Sequence, residues 1–90
     1  MFTGIVTDIG TISQVEQRGD MRLVIDCHYD MASVAIGASI ACSGVCLTVV
    51  EKGEGSFTVD VSAETVSRTG RAMWREGATL NLERALKVGD

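Results

Sequence analysis

The chain has 90 residues, a formal net charge of −4, ten glycines, three cysteines and no proline. That length makes one domain, which hides only about 60–65% of the surface that the unfolded chain exposes. Its basic residues are scattered among acids, which argues against a nucleic-acid partner; no run approaches the ~20 apolar residues of a membrane span and the opening Met1-Phe2-Thr3-Gly4 does not have the pattern of a secretion leader, so the expectation is a soluble, cytoplasmic protein with reduced thiols.

In chain order, β-branched residues punctuated by glycine predict short strands. The first runs over Gly4 to Val15, with Gly10 inside it as the mark of a bulge or barrel bend. Arg18-Gly19-Asp20 reads as a glycine turn into a second strand, Met21 to Cys27, after which His28 reads as a solvated surface histidine. A turn of helix is expected over Asp30 to Val34. Strands at Ser39 to Cys42 and Val45 to Glu51 flank the two-residue turn Ser43-Gly44, and Gly53-Glu54-Gly55 leads into a fifth strand, Ser56 to Val61. Ser62 is placed to cap a helix that carries Glu64 in its first turn and ends near Gly70. Trp74 follows in an irregular segment with Met73, placed to cover the barrel end, before a sixth strand at Ala78 to Arg84. Six such strands indicate an all-β fold, a small closed barrel or a sandwich.

The stretch "CSGVCLTVV" (Cys42 to Val50) carries the sharpest local information. A fold-back at Ser43-Gly44 sets Cys42 opposite Val45 and Ala41 opposite Cys46, and alternation turns these pairs to opposite faces. Ile40, Cys42, Val45, Leu47 and Val49 form an aliphatic face for the core; Ser39, Ala41, Cys46, Thr48 and Val50 form the other. That second face is small and half-polar. It suits a flat ring with a few hydrogen bonds, and equally an interface or a solvated edge. The two thiols face apart and only His28 could add a nitrogen ligand, so Cys42-x-x-x-Cys46 is not read as a metal site. Phosphate-binding loops and nucleophile triads are not found.

Four stretches then carry a resemblance: "MFTGIV" at the start, "GASIACSGVCLTVV" (Gly37 to Val50), "VDVSAETVSRT" (Val59 to Thr69) and "GATLNLERALKVGD" (Gly77 to Asp90). In this order they resemble the N-terminal lumazine-binding barrel of the riboflavin synthase family, along the whole chain. The resemblance implies a six-stranded antiparallel Greek-key β-barrel with one or two short helices, residues 1–90 forming a single barrel. Family members are similar to two such barrels in one chain, assembled as trimers. This sequence stops at "LKVGD", where the family continues into a Gly-Gly-His segment, which implies a truncated piece, the alternative being a natural single-barrel protein; the expectation is a barrel that binds with little or no turnover by itself and pairs as a dimer.

The implied reaction is a dismutation without cofactor or metal, in which one 6,7-dimethyl-8-ribityllumazine donates a four-carbon unit to another, giving riboflavin and 5-amino-6-ribitylamino-pyrimidinedione. The implied substrate contacts are Gly4, Ile5 and Val6; Cys46, Leu47 and Thr48; and Asp60, Val61, Ser62, Ala63, Glu64 and Thr65. Phe2, Thr3 and Cys46 match the reactive region, Cys46 as nucleophile or proton donor or as a thiol that packs beside the ring. Glu64 also reads as a carboxylate that only stabilises a helix end. The alternatives are a non-catalytic lumazine- or flavin-binding module of the antenna type, and the flavin barrel of a reductase.

Overall fold

Strand β1 (Asp8–Arg18) pairs antiparallel with β2 (Asp20–Asp26), β2 with β5 (Ser56–Val61), β5 with β4 (Val45–Gly53), β4 with β3 (Ser39–Cys42), β3 with β6 (Thr79–Arg84), and β6 again with β1. The result is a closed six-stranded antiparallel barrel in a computed structural model that describes residues 5–85, the side chain of Arg18 excepted. Closure leaves no sheet edge open among these strands. The order is not an up-and-down meander, since β2 pairs with β5 and β3 with β6.

Alternation fills the interior. Ile12, Leu23, Ile25, Ile40, Val49, Phe57, Val59, Val61, Leu80 and Leu82 are buried in one cluster, contributed by all six strands. Helix α1 (Ala63–Thr69) and two 3-10 turns, Met31–Ser33 and Arg71–Trp74, close the ends and add Val66, Met31 and Trp74 to that cluster. The turns follow expectation. Ser43 at φ 47° and Gly44 at φ 87° make the left-handed pair that a two-residue hairpin requires. Ser62 caps α1, its Oγ accepting from the Thr65 N–H at 3.1 Å, and Asp30 caps the first 3-10 turn through the Ala32 N–H.

Beyond strand ends that move by one to three residues, other details differ from the sequence reading. Pairing of β1 starts at Asp8, opposite Leu82, later than the expected strand start. Arg71–Trp74 forms a 3-10 turn where the sequence predicts irregular chain. The bulge on β1 lies between Ile12 and Gln14, not at Gly10. Gly10 instead answers to crowding: a Cβ there would stand 2.7 Å from Leu82 Cδ1 and 2.8 Å from Ile25 Cγ2, inside the barrel. Gly10→Ala is expected to destabilise the fold by about 1–3 kcal/mol, the cost of overpacking a filled interior. Urea unfolding followed by circular dichroism measures it, and an unchanged midpoint would remove the crowding argument.

The start of β1 is held by side chains. Asp8 is nearly buried and takes both the backbone N–H and the Nδ1 of His28, the latter at 2.8 Å, together with the Ile9 N–H at 2.8 Å. Thr7 Oγ1 meets the Tyr29 hydroxyl at 2.6 Å, and Arg84 lies over the Tyr29 ring. His28 is solvent-exposed, as its sequence position indicates, yet its ring is engaged. Burial pushes the Asp8 carboxyl up, but the three donated hydrogen bonds and the imidazole outweigh it and hold the group below its ordinary value of 3.8. A lowered folded value gives stability that is present above the unfolded value and lost as pH falls through the folded one. Asp8→Asn is therefore expected to cost about 1–2 kcal/mol at neutral pH and to flatten the loss of stability below about pH 4. Denaturant midpoints for both chains at neutral and acid pH check this.

Candidate functional site

The outer surface of β4 carries the half-polar face of the β3–β4 hairpin. Cys42 opposes Val45 and Ala41 opposes Cys46 in the observed register, and Ile40, Cys42, Leu47 and Val49 are buried while Cys46 and Thr48 are exposed. The thiols therefore separate: Cys42 is fully buried, and burial, with a lesser contribution from Cys46, pushes it up to about 12, so it stays a neutral thiol. Cys46 is the solvent-accessible one, and no disulfide joins them.

Beside this face, β5 turns into α1. Val59 and Val61 point into the barrel, which sends Asp60 outward, and one step along the ladder from the Val49–Val59 pair sets Thr48 alongside it. Ser62 then caps the helix, its hydroxyl donating to Thr65 Oγ1 at 2.9 Å while accepting the Thr65 N–H. The two segments enclose a groove of about 260 Å³ lined by Cys46, Leu47, Thr48, Val50, Asp60, Ser62 and Thr65. One edge is a thiol and a methyl-bearing hydroxyl; the other is a carboxylate and two capped hydroxyls.

Size does not single this groove out. A depression of about 330 Å³ lies between Ala35–Ile40 and Arg84, and one of about 430 Å³ runs beside Trp74 between Met21 and Arg75. The groove on β4 differs in bringing small side chains and several converging hydrogen-bonding groups together against one strand, the composition that holds a planar polar ring. Among the described residues no group of three or more His, Cys, Asp and Glu side chains gathers that could hold a metal ion, and no helix is long and apolar enough to cross a membrane.

Of the site residues expected from the sequence, the structure brings together Cys46, Leu47, Thr48, Asp60, Ser62 and Thr65. Leu47 and Val61 have buried side chains, so they can offer only backbone groups to anything outside the barrel. Ala63 and Glu64 are exposed on α1 without lining the groove, and the Glu64 carboxylate accepts from Arg68 at 2.7 Å, one helical turn on. Ile5 and Val6 are exposed on the segment ahead of β1 and do not line the groove either. Phe2, Thr3 and Gly4 lie outside the described residues. Val50 is a lining residue that the site reading omitted, although alternation had already set it on the same face as Thr48.

Comparison with known proteins fits this architecture. The lumazine binding domain family matches residues 3–85. The riboflavin synthase of Brucella abortus (strain 2308) is 47% identical over 96 residues, covering 100% of this chain and 48% of the relative. Those of Photobacterium phosphoreum and Bacillus subtilis (strain 168) are 43% and 44% identical, each over 96% of this chain and 40% of the relative. The chain thus spans about half the length of the curated relatives it matches. A match across the barrel, from ahead of β1 to the end of β6, means that the chain belongs to the lumazine binding domain family.

Proposed function

We propose that the barrel binds 6,7-dimethyl-8-ribityllumazine and riboflavin in the β4–β5 groove, as one half of a cytoplasmic riboflavin synthase. The observation that carries the reading is the convergence of Cys46, Thr48, Asp60, Ser62 and Thr65 on one groove, from two stretches that the family resemblance selected independently. The heterocycle lies against the small face of β4. The Thr48 hydroxyl and backbone groups near Ser62 and Ala63 meet its polar edge, and Asp60 and Thr65 meet ring or ribityl donors.

The groove is open, with Cys46, Thr48 and Ser62 all exposed, so it covers one face of a ring and leaves the other for a second ring. In the proposed reaction two lumazines stack in opposite orientation, and the four-carbon unit passes from one to the other, leaving riboflavin and 5-amino-6-ribitylamino-pyrimidinedione. Holding two reactants in register can offset about 7–11 kcal/mol of barrier, which suits a site without a strong acid–base pair. The second ring would sit on another barrel, within a homo-oligomer, a trimer for the full-length parent and a dimer for this barrel by itself; this barrel binds, with little or no turnover of its own. Phe2, Thr3 and Cys46 are the proposed reactive-region residues, Cys46 through its accessible thiol.

The test is titration of the chain with each ligand, following ligand fluorescence; saturable binding is expected, and its absence for both ligands would overturn the reading. Thr48→Val removes one hydroxyl at constant shape. It is expected to weaken lumazine binding by roughly 1 kcal/mol, about fivefold, with the thermal midpoint unchanged. Equal affinity would take the Thr48 hydroxyl out of the site.

A further inference from the structure

Among the described residues Asp60 is the only charged one that lines the groove, and it is held from the neighbouring strand. Arg22 on β2 stands directly opposite Asp60 in the ladder, on the outer face of the barrel. Its Nε donates to Asp60 Oδ1 at 2.9 Å and its Nη2 to Oδ2 at 3.2 Å. Two bonds from one planar fork fix the plane of the carboxylate as well as its distance, which a single point charge does not do. The guanidinium is steadied from its other side: Nη1 lies 3.7 Å from Glu51 Oε1, on the residue that follows the Val50 bulge. Arg22 lies outside the groove; only its partner reaches it.

We propose that Arg22 is a positioning residue for ligand binding, acting through its two-bonded hold on Asp60, and this rests on the function proposed above. An ionised carboxylate has about four acceptor positions and no donor. Arg22 occupies one on each oxygen and leaves the others to the groove. The ligand edge that meets Asp60 must therefore donate, as a sugar-alcohol hydroxyl or a ring N–H does. As a brace for the fold the pair contributes little, because both side chains are about one-third exposed and a surface ion pair is weak. Its effect lies in the direction in which those acceptors point.

A double-mutant cycle on the chain tests this, with riboflavin and 6,7-dimethyl-8-ribityllumazine as probes, ligand fluorescence as the readout and thermal midpoints measured alongside. Asp60→Asn is expected to weaken binding about tenfold and Arg22→Gln about fivefold, while the double variant binds within about twofold of Asp60→Asn, because without the carboxylate Arg22 has nothing to orient. Arg22→Lys keeps the charge and loses the fork, so it is expected to retain most of the Arg22→Gln defect. Losses that multiply in the double variant would overturn the assignment, as would unaltered affinity in Arg22→Gln. Should Arg22→Gln not fold, the same cycle with Arg22→Lys decides by the same criterion. Failure of the unaltered chain to bind either probe overturns the functional reading, and the role of Arg22 falls with it; multiplicative losses in a chain that binds overturn the role of Arg22 alone.

Discussion

Trp74→Ala is expected to cost about 3–5 kcal/mol, the usual range for emptying an aromatic site in a core. The indole is 1% exposed, and its Nε1–H donates to Thr69 Oγ1 at 2.7 Å, while the Thr69 hydroxyl donates in turn to the Thr65 carbonyl at 2.7 Å. One side chain thus fills the barrel end and ties the last turn of α1 to the 3-10 turn behind it. Set against a typical total of about 5–15 kcal/mol for a domain, that loss removes a large share. The thermal midpoint should fall by roughly 15–30 °C for a chain of this size. Trp74→Phe keeps most of the buried surface but leaves Thr69 without its donor, so a smaller drop of about 1–2 kcal/mol is expected. Thermal unfolding followed by circular dichroism gives both values, and a drop under about 5 °C for the alanine variant would mean that the ring is not seated as described.

The second large effect concerns binding. Thr48 is exposed on β4, beside Asp60 and across from Ser39, so a longer side chain there meets the groove and not the core. In Thr48→Arg the guanidinium is drawn to the Asp60 carboxylate and lies across a space of only about 260 Å³. We expect lumazine and riboflavin binding to weaken by about 100-fold or more, with a thermal midpoint shift no larger than ordinary surface substitutions give. Fluorescence titration and thermal unfolding of the same preparation separate the two outcomes. Retained affinity would place the ring elsewhere on the barrel.

Most of this architecture was readable from local chemistry. The Ser43-Gly44 turn specifies its register, and register with alternation specifies which side of β4 faces out, so the outward placement of Cys46 and Thr48 is legible in the sequence. Ser62 and Glu64 announced a helix start in the same way. What stayed hidden depends on neighbours. The bulge at Ser13 leaves no composition signal, since Ser13 and Gln14 are unremarkable residues for an outer strand face; it shifts the inward position from Gln14 to Val15, which pairs with Leu23. At Gly10 the bulge is absent, and the need for glycine is one of packing, set by Leu82 and Ile25 on two other strands. The Arg22–Asp60 pair joins residues 38 positions apart and required the β2–β5 pairing to be known.

The irregularity in β4 between Val49 and Glu51 has an electrical result. Strict alternation from Val45, Leu47 and Val49 would turn Glu51 inward at the barrel's mouth. The extra residue instead aligns Lys52 with the inward-facing Phe57, and the Lys52 Nζ donates to the Met31 and Val34 carbonyls at 2.9 and 2.6 Å. A single added residue therefore decides the sign of the charge that meets those two oxygens. Were Val50 to pair regularly instead of bulging, Glu51 would take the place opposite Phe57 and present them with an anion, setting like partial charges face to face where Met31 and Val34 are now fastened.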